Sequence, residues 1–445
     1  MGKADVNIEQ MQVVVLMGGL GTRLKEYTKN CPKSMVEVEG KPFFDYQLNL
    51  MVKQGFKKFL FLVGFGGEQI EDYYGDGAEL KISITYCYDG ERLLGTGGAI
   101  RRAYHLLEEE FMVIYGDSFM DIDYEETIYR FALGKEEGKE SLMTVLRNKN
   151  LFDKSNVLIK EGTLLLYDKH NPIPEMEYID YGICLYLKKL WRDYEDGEAF
   201  DISKIQKEQS ILGKMAVHIV TKRFYEIGSQ KSLEEFSEYV KGRFLNSRPC
   251  VFLDRDGVIN EIVYNENIEQ LDSPLKIEEF CLLEKVEEAL QIIEERGFYI
   301  FIVTNQPAAA KGKTSLRRLY DINTFFLQSM ENKGIQIEDV YMCPHYGTQG
   351  KYTKELFLIK ECDCRKPKPG LLKKAGEKYN IDWENSYMVG DSYTDIIAGK
   401  AAGVHTVLIG TIKCDMCRML KENKPDYICK DLYSFSQKLK ELEEG

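Results

Sequence analysis

Short apolar runs alternate with amphipathic segments along the first half of the chain. The spacing of apolar residues predicts helices such as 43–54 and 98–107 between the apolar runs. This alternation is typical of a mainly parallel β-sheet with helices on both faces. The strands predicted in this half are residues 13–17, 59–63, 82–87, 111–115, 142–146, 181–187 and 216–220.

The same alternation begins again at Val251. A predicted helix at 233–244 and the polar connector Asn-Ser-Arg-Pro at 246–249 separate the two halves. We therefore expect an α/β protein with two domains, residues 11–245 and 249–445. In the second half the predicted strands are 251–253, 299–304, 340–343, 386–389 and 406–409, and the predicted helices are 283–296, 316–332, 371–379 and 396–402.

Composition narrows the class of protein. The 445 residues are 44% hydrophobic and 29% charged, which is typical of a soluble globular chain. The first residues lack the apolar core of a signal peptide, and no run is long enough to span a bilayer, so we expect a cytoplasmic protein without a membrane partner. A net charge of -13 argues against nucleic acid as a partner, whereas small phosphorylated molecules need only a few well-placed cations.

Two aspartates follow the first strand of the second half. Cys-Val-Phe-Leu at 250–253 predicts a buried strand, and Asp254 and Asp256 come directly after it in a glycine-containing turn. Open α/β sheets place their ligands at this edge. Two such carboxylates can bind a hard cation while one acts as nucleophile and the other as acid and base, but a solvated acidic turn has the same local sequence.

Three later segments place polar residues at further strand ends. Thr-Asn-Gln at 304–306 offers a hydroxyl and amides to a phosphate, and Arg-Lys-Pro-Lys-Pro-Gly at 365–370 offers cations before a helix N-terminus. Gly390-Asp-Ser-Tyr-Thr-Asp395 adds two aspartates, of which Asp395 is as well placed to cap a helix as to take part directly. With Asp254 and its neighbour, this order resembles the haloacid dehalogenase-type phosphatases.

That resemblance implies a haloacid dehalogenase-like Rossmannoid fold for the second domain and a role for each motif residue. Asp254 would be the nucleophile that forms an aspartyl phosphate, and Asp256 the general acid and base. Asp254, the Asp256 carbonyl and Asp391 would bind Mg²⁺. Thr304 and Lys366 would hold the phosphoryl oxygens, and Asn305 and Arg365 complete the predicted catalytic set.

Two pairs of soft or borderline metal ligands lie between these motifs. Cys343-Pro-His345 and Cys362-Asp-Cys364 together suit a tetrahedral structural Zn²⁺. The 11 cysteines otherwise show no disulfide-rich spacing, so we expect reduced thiols. Cys414, Cys417 and Cys429 lack a second pair, and we interpret them as ordinary thiols. With the zinc pattern, Asp-Arg-Asp-Gly-Val-Ile-Asn and Thr-Asn-Gln resemble the D-glycero-D-manno-heptose 1,7-bisphosphate phosphatases; histidinol-phosphate phosphatases share much of the pattern.

A glycine-rich loop follows the first predicted strand of the chain. Gly-Gly-Leu-Gly-Thr-Arg-Leu at 18–24 lets the backbone approach a phosphate, whose charge the amide N–H groups and Arg23 can face. Tight turns also use glycine for conformational reasons alone. Followed by Pro-Lys-Ser-Met at 32–35, the loop resembles the sugar-1-phosphate nucleotidyltransferase family, and the resemblance extends over residues 11–244.

The second resemblance implies a Rossmann-like, GT-A-like first domain. Arg23 and the loop amides would hold the leaving phosphates, and Lys33 would bridge the reacting α-phosphate. Asp117 and Glu226 would bind Mg²⁺, with Glu226 in place of the aspartate common in the family. The remaining residues expected to bind nucleotide or sugar phosphate are Gly18, Gly19, Gly21, Thr22, Gly97, Gly98, Lys169 and Asp180.

The two resemblances are linked by chemistry. Removal of the 7-phosphate from a heptose 1,7-bisphosphate leaves heptose 1-phosphate, which the first domain would couple to an NTP. We therefore expect a bifunctional enzyme that makes an NDP-heptose, with GDP-heptose favoured by resemblance to guanylyltransferases. The sequence does not decide the nucleotide base, the anomer, whether the intermediate passes between the two sites, or whether the chain forms a homo-oligomer.

Two other hypotheses remain. One is a hexose-1-phosphate nucleotidyltransferase joined to a histidinol-phosphate or other sugar-phosphate phosphatase; Asp-Tyr-Gly at 180–182 differs from the Asn-Ala-Gly of many hexose enzymes. The other is a binding or regulatory protein in which one domain has lost catalysis. The complete set of Asp254, Asp256, Lys366 and Asp391 argues against such loss in the phosphatase domain.

Overall fold

The computed structural model describes residues 7–18, 31–90, 92–151, 153–265, 270–410 and 424–443. The chain divides between Val240 and Lys241 into two compact units. The π-helical turn Lys241–Leu245 belongs to the second unit, in which the Tyr299 hydroxyl donates a hydrogen bond to the Gly242 carbonyl at 2.7 Å. Over the described ranges, no helix is long and apolar enough to cross a membrane.

A mixed β-sheet forms the centre of the first unit. The strands of this unit are β1 (Gln12–Met17), β2 (Glu37–Val38), β3 (Lys41–Pro42), β4 (Lys58–Val63), β5 (Ser83–Tyr88), β6 (Glu110–Tyr115), β7 (Ser118–Phe119), β8 (Ser141–Arg147), β9 (Val157–Lys160), β10 (Thr163–Tyr167), β11 (Tyr178–Leu187), β12 (Met215–Val220) and β13 (Tyr225–Glu226). The main sheet has the order β10-β9-β11-β6-β1-β4-β5, and β8 and β12 join it through β11.

The direction of β11 is a departure from the mainly parallel sheet that the sequence predicts. β1, β4, β5 and β6 are parallel, but β11 pairs antiparallel with both β6 and β8. The hairpin of β9 and β10 was also absent from the sequence prediction. Its turn contains Glu161 and Gly162, both at positive φ, so a Glu-Gly pair between two apolar runs was the available signal.

The uninterrupted apolar sequence of β1 follows from burial of both faces of the sheet. Val13 and Val15 enter the core on one face, together with Leu48 of the first helix. Val14 and Leu16 enter the core on the other. Because successive strand residues point to opposite faces, a strand covered on both sides needs apolar residues at every position.

The helices of the first unit cover those two faces. They are α1 (Phe43–Lys53), α2 (Gly67–Tyr74), α3 (Gly95–Arg102), α4 (Tyr124–Glu136), α5 (Ser203–Ile211) and α6 (Gln230–Val240), with 3-10 turns at Lys33–Met35, Ala78–Leu80, Tyr104–Leu106 and Lys188–Trp191. The helix predicted at 98–107 therefore begins three residues earlier and ends in a separate 3-10 turn.

A buried charged cluster joins α4 to β12. The Glu126 carboxylate accepts a hydrogen bond from Arg130 Nε at 2.7 Å and lies 3.3 Å from His218 Nε2. His218 Nδ1 in turn contacts the Thr127 hydroxyl at 3.0 Å. Burial works against the charge of Glu126, but Arg130 and then His218 outweigh it and lower the pKa of Glu126 to about 2.

We expect Glu126→Gln to destabilise the first unit by about 3 kcal/mol at neutral pH, because Arg130 then loses its buried partner. Folding lowers the pKa of Glu126 from 4.5 to about 2. The stability that the ionised Glu126 contributes is therefore complete above pH 4.5 and is lost as the pH falls toward 2. Urea unfolding followed by tryptophan fluorescence in a Trp383→Phe background, where Trp191 is the one remaining tryptophan, measures this loss of stability. Exposed Glu125→Gln on the same helix is the control, and equal losses in both variants would contradict the prediction.

A second, parallel sheet forms the centre of the second unit. The strands of this unit are β14 (Cys250–Leu253), β15 (Val263–Asn265), β16 (Gln270–Asp272), β17 (Tyr299–Asn305), β18 (Asp339–Cys343), β19 (Tyr387–Gly390), β20 (His405–Ile409) and β21 (Tyr427–Cys429). The sheet has the order β18-β17-β14-β19-β20-β21, and β15 and β16 form a separate hairpin. The helices are α7 (Val286–Glu295), α8 (Leu316–Glu331), α9 (Gly370–Lys378), α10 (Tyr393–Ala402) and α11 (Leu432–Glu443), with 3-10 turns at Ile277–Glu279 and Leu356–Leu358.

Strand β14 is buried on both faces in the same way as β1. Val251 and Leu253 belong to one core, and Cys250 and Phe252 to the other. β14 lies at the centre of the sheet, with β17 and β19 as its parallel neighbours. The carboxyl ends of these three strands therefore meet at one edge, where open α/β sheets bind ligands.

Candidate active sites

The acidic motif of the second unit lies at this edge of the sheet. Asp254 directly follows β14, and its backbone N–H donates a hydrogen bond to the Val389 carbonyl of β19 at 2.9 Å. Thr304 lies in β17, and Asp391 directly follows β19. The structure therefore brings three of the predicted motifs together, because each is attached to the end of one of three adjacent strands.

A buried lysine joins two of the carboxylates. Lys366 Nζ lies 2.8 Å from Asp254 Oδ1 and 2.6 Å from Asp395 Oδ1, and it donates to the Val303 carbonyl at 2.7 Å. Burial raises the pKa of Asp254 to about 7, although Lys366 works in the opposite direction. Asp395 also forms a capping box with Ser392 at the start of α10, so one side chain caps this helix and holds Lys366.

Three carboxylates at this edge could share a cation. Asp254, Asp391 and Asp395 each place an oxygen within 4.8 Å of the others. Gly257 permits this approach: its φ is +83°, and a Cβ there would lie 2.4 Å from Asp391 Oδ2. Burial and then Asp395 raise the pKa of Asp391 to about 6. A cation would offset this crowding of negative charge, so the oxygen set fits Mg²⁺.

Three donors fix the carboxylate of Asp256. Arg255 Nη2 lies 3.1 Å and Asn260 Nδ2 3.0 Å from Oδ1, while Gln306 Nε2 lies 2.5 Å from Oδ2. The Arg255 guanidinium is itself fully buried and donates to Asn323 Oδ1 of α8 at 2.9 Å. Burial opposes ionisation of Asp256, but Arg255 and the amide donors outweigh it and lower its pKa.

The two residues at the end of β17 have different contacts. The Thr304 hydroxyl is buried and accepts a hydrogen bond from Gln306 Nε2 at 2.9 Å. Asn305 instead contacts the backbone of Lys366: its Nδ2 donates to the Lys366 carbonyl at 3.0 Å, and its Oδ1 accepts from the Lys366 N–H at 3.1 Å. Asn305 therefore fastens the segment that carries Lys366 to the end of the strand.

The four predicted soft-metal ligands form one cluster. Cys343, His345, Cys362 and Cys364 place their ligand atoms within 4.8 Å of one another. The sulfur–sulfur distances are 3.1, 3.3 and 3.6 Å, and His345 Nδ1 lies 3.3 Å from Cys364 Sγ. A tetrahedral zinc with bonds of about 2.3 Å has ligand separations of about 3.8 Å, so the donor set and its size fit Zn²⁺.

A cationic patch adjoins this cluster. Lys311 Nζ lies 4.5 Å and Arg365 Cζ 5.2 Å from the centre of the Tyr346 ring. Arg365 also donates to the His345 carbonyl at 3.4 Å. Arg365 directly follows Cys364 and precedes Lys366, so the cluster, Tyr346, Arg365 and the buried lysine belong to the connection between β18 and α9, while Lys311 comes from the connection between β17 and α8. Two cations beside an aromatic face form a surface that suits an anion.

In the first unit, one lysine lies between two carboxylates. Lys33 Nζ is 2.5 Å from Asp117 Oδ2 and 3.4 Å from Glu226 Oε1. The two acids meet because β7 and β13 form a two-stranded ribbon in which Glu226 is paired with Ser118. The sequence separation of Asp117 and Glu226 gave no sign of this pairing. A lysine and two carboxylates at one point can hold both a phosphate and a hard cation.

Two cavities meet at Asp117. A cavity of about 410 Å³ and a cavity of about 530 Å³ share Asp117 and Tyr115 as lining residues. The smaller cavity is also lined by Leu16, Met17, Gly18, Lys33, Ser34, Leu62, Asp89, Leu93, Gly95, Thr96 and Ala99, and the larger by Ser118, Asp153, Asn156, Tyr167, Lys169, Ile179, Asp180, Tyr181, Gly182, Arg223, Phe224 and Glu226. Two substrates in these cavities would approach each other at Asp117.

Asp180 is a fixed carboxylate in the wall of the larger cavity. Its Oδ1 accepts a hydrogen bond from the Gly182 N–H at 3.0 Å, and its Oδ2 from Gln206 Nε2 at 3.1 Å. Burial raises the pKa of Asp180 to about 6. Lys169 lines the same cavity and pairs with Asp201 at 3.2 Å. The larger cavity thus carries both an acceptor for hydroxyl groups and a cation.

Gly97 and Gly98 pack against a neighbouring loop. Their N–H groups donate to the Phe200 carbonyl, and a Cβ on Gly97 would lie 2.3 Å from the Phe200 ring. Gly95 and Thr96, just before them, line the smaller cavity instead. Several residues from the sequence analysis lie outside the described ranges, namely Gly19, Gly21, Thr22, Arg23, Cys414 and Cys417.

Several residues of these sites had no role in the sequence analysis. Arg255, Asn260 and Gln306 stood within motifs whose other members carried the chemistry. Asn323 is a polar residue within the apolar stripe of α8, and that interruption was its only signal. Asp89 follows an apolar strand and has no surrounding motif. Their contacts arise between segments far apart in the chain, which local patterns do not encode.

Comparison with known proteins gives two matches to family models. The nucleotidyl transferase model matches residues 12–151, and the HAD-hydrolase-like model matches residues 363–435.

Three curated relatives are similar to parts of the chain. The D-glycero-alpha-D-manno-heptose 1-phosphate guanylyltransferase of Campylobacter jejuni is 32% identical over 228 residues, 51% of this chain and 98% of that protein. The D-glycero-beta-D-manno-heptose-1,7-bisphosphate 7-phosphatase of Vibrio cholerae is 37% identical over 168 residues, 37% of this chain and 81% of that protein. An alpha-anomer phosphatase of Photorhabdus laumondii is 37% identical over 159 residues, 36% of this chain and 80% of that protein.

Proposed function

We propose, for a chain that belongs to both the heptose 1-phosphate guanylyltransferase family and the heptose-1,7-bisphosphate 7-phosphatase family, that it makes an NDP-heptose in two consecutive reactions. The observation that carries the proposal is the presence in one chain of two polar sites, one around Asp254 and Lys366 and the other around Asp117 and Lys33. The product of the first reaction is a substrate of the second.

The phosphatase reaction uses the Asp254 site. An Asp254 oxygen attacks the phosphorus of the 7-phosphate, forming an aspartyl phosphate as the bond to O7 breaks. The incoming phosphate raises the proton affinity of Asp256, which takes up a proton and gives it to O7 as that oxygen leaves. Asp256 then removes a proton from a water molecule that attacks the aspartyl phosphate, which releases inorganic phosphate and regenerates the Asp254 carboxylate. Thr304 and Lys366 hold the phosphoryl oxygens. Mg²⁺ held by Asp254, the Asp256 carbonyl and Asp391 would supply neutralising charge.

The second phosphate of the substrate suits the patch of Lys311, Tyr346 and Arg365. A bisphosphate places one phosphate at the nucleophile and leaves the other at the far end of the sugar. Lys311, from the connection between β17 and α8, and Arg365, from the loop that also carries Lys366, offer two cations. Their charges favour a substrate with a second phosphate over histidinol phosphate, which has only one.

The nucleotidyltransferase reaction uses the two cavities of the first unit. The heptose 1-phosphate occupies the larger cavity, where Lys169 offers charge and Asp180 accepts hydrogen bonds from hydroxyl groups. The NTP, which we take to be GTP, occupies the smaller cavity. A 1-phosphate oxygen attacks the α-phosphorus beside Lys33, and pyrophosphate leaves, with the glycine-loop amides and Arg23 assigned to its charge by the family resemblance. Mg²⁺ held by Asp117 and Glu226 would neutralise the crowded phosphates.

A competition experiment tests the proposal. Heptose 1,7-bisphosphate is supplied with Mg²⁺ and equal amounts of GTP, ATP, CTP and UTP, and products are identified by mass spectrometry. We expect one equivalent of phosphate, one of pyrophosphate and an NDP-heptose, with GDP-heptose dominant. Histidinol phosphate in place of the bisphosphate should release phosphate at least about 10-fold more slowly, because it lacks a group for Lys311 and Arg365. No NDP-heptose from any NTP would refute the proposal.

We further propose that the cysteine cluster holds one structural Zn²⁺, which positions Arg365 and Lys366. The chain should then contain about one zinc per molecule by mass spectrometry, since four ligands make one closed tetrahedral site. Cys362→Ser should lower zinc content and phosphatase activity while nucleotidyl transfer is retained. Cys281→Ser, at an exposed thiol outside the cluster, is the control. Full phosphatase activity in zinc-free protein would contradict the assignment.

A further inference from the structure

A fully buried arginine lies behind the proposed general acid of the second unit. The Arg255 side chain has no exposed surface, whereas that of Asp256 keeps 16% of its surface exposed. An unpaired buried charge is costly, and bulk water does not contact this guanidinium, so its N–H groups depend on protein acceptors. Those acceptors therefore fix where the charge of Arg255 can lie.

The two edges of the guanidinium have different partners. On one edge, Nε and Nη2 of Arg255 lie 3.3 and 3.1 Å from Asp256 Oδ1. On the other edge, Nη1 donates to Asn323 Oδ1 at 2.9 Å, and among the described residues no second acceptor contacts Nη1. The guanidinium is planar and rigid, so a shift at Nη1 also moves the edge that faces Asp256.

The acceptor of Nη1 interrupts the apolar stripe of α8. Asn323 is 7% exposed, and Leu319 and Phe326 are buried on the same helix face. A leucine would complete this stripe, so packing alone does not call for an amide at this position. Asn323 Nδ2 lies 3.6 Å from the Met342 sulfur, and a flipped amide would bring that NH2 group against Arg255. The two neighbours therefore set the orientation of the amide.

The contacts distinguish the two oxygens of Asp256. Oδ1 is held by Arg255 and by Asn260 Nδ2 at 3.0 Å, while Oδ2 accepts from Gln306 Nε2 at 2.5 Å and has a further lone pair for a proton. In the proposed phosphatase reaction, the bond from Asp254 to phosphorus forms as the bond from phosphorus to O7 breaks. The electron pair stays on O7, which takes the proton from Oδ2. A general acid must lie within hydrogen-bond reach of the group that it protonates, so this transfer requires Oδ2 to point at O7.

We infer that Asn323 is a positioning residue for this proton transfer, acting through Arg255 on Asp256. Asn323 anchors Nη1, Arg255 anchors Oδ1, and the anchored carboxylate holds Oδ2 toward the leaving oxygen. No contact between Asn323 and the substrate is needed. The inference rests on the proposed phosphatase function and adds to it a residue of α8 that lies outside the strand-end motifs.

A sulfur analogue of the substrate provides a matched probe. With sulfur in place of the bridging O7 of heptose 1,7-bisphosphate, the leaving group departs as a thiolate, whose conjugate acid has a pKa of about 8.5, and needs no proton from Asp256. In Asn323→Leu, kcat/KM should fall about 30-fold for the oxygen substrate and stay within about 3-fold of wild type for the sulfur analogue. We compare kcat/KM because it covers the steps up to release of the leaving group, before water attacks the aspartyl phosphate.

Further variants control for packing and folding. Asn332→Leu, at an exposed asparagine that ends α8, should leave kcat/KM unchanged for both substrates. Asn323→Asp keeps an acceptor for Nη1, so kcat/KM for the oxygen substrate should stay within about 5-fold of wild type. If Asn323→Leu unfolds on heating at a much lower temperature than wild type, Asn323→Ala takes its place.

The outcomes separate this inference from the proposed function. A wild type that leaves heptose 1,7-bisphosphate intact but hydrolyses another sugar phosphate would refute the proposed substrate, and an oxygen and sulfur pair of that ester would still test Asn323. Equal losses on both substrates in Asn323→Leu and Asn323→Ala would show a purely structural role and overturn the inference. Full activity of Asn323→Leu on the oxygen substrate, or a loss in Asn323→Asp as large as in Asn323→Leu, would also overturn it.

Discussion

Asp254→Asn is expected to lower phosphate release from heptose 1,7-bisphosphate at least about 1,000-fold, because an amide cannot attack phosphorus. The variant keeps the size of the side chain, and Lys366 keeps its 2.6 Å contact with Asp395, so the second unit should remain folded. The measurement is release of inorganic phosphate under saturating Mg²⁺. When heptose 1-phosphate is supplied directly, the same protein should form NDP-heptose at the wild-type rate.

Glu287→Gln is the matched control for this experiment. It is also an acid-to-amide change in the second unit, but on the surface of α7, where Glu287 pairs with Lys333. Phosphate release should be unchanged in this variant. If Asp254→Asn released phosphate at more than about a tenth of the wild-type rate, Asp254 could not be the nucleophile.

Asp117→Ala should have the opposite effect, lowering nucleotidyl transfer at least about 1,000-fold while phosphate release continues. Asp117 lies where the two cavities meet and contacts Lys33, so its loss would remove the proposed cation ligand and free the lysine proposed to face the α-phosphate. Supplied with heptose 1,7-bisphosphate and GTP, this variant should accumulate heptose 1-phosphate. The assay is NDP-heptose formation followed by mass spectrometry.

Asp72→Ala, an exposed aspartate of α2, is the control for the loss of an acid in the first unit. Mixing the Asp254→Asn and Asp117→Ala proteins gives a further check. Each supplies the reaction that the other lacks, so the mixture should again convert the bisphosphate to NDP-heptose. Nucleotidyl transfer by Asp117→Ala at the wild-type rate would show that the cation site is elsewhere.

Much of each site could be predicted because its residues stand at strand ends in short motifs. Asp254, Thr304 and Asp391 follow or end three adjacent strands, which bring them to one edge, and Lys366 reaches the same edge from the motif before α9. The two Cys and His pairs could likewise be matched to a tetrahedral site from their spacing. In these cases residue type and local position were sufficient, because a parallel sheet with right-handed connections gathers strand ends on one side.

Other features could not be predicted because they depend on which distant side chains share a buried space. The buried Arg255 links Asp256 to Asn323. The ribbon of β7 and β13 had no sign in the local pattern either, and only the family resemblance had assigned Asp117 and Glu226 to one cation. The antiparallel course of β11 also lay outside the pattern, since a buried strand has the same apolar sequence in either direction.

The sequence by itself determined the two α/β halves and the chemical groups at each strand end, because alternating apolar runs and short motifs are local properties. Only the tertiary structure decided the environment of those groups. It placed Asp395 on Lys366 and brought Glu226 to Lys33. The reason is that burial and pairing depend on packing between segments far apart in the chain, and packing decides which charges are held, shifted or left for a ligand.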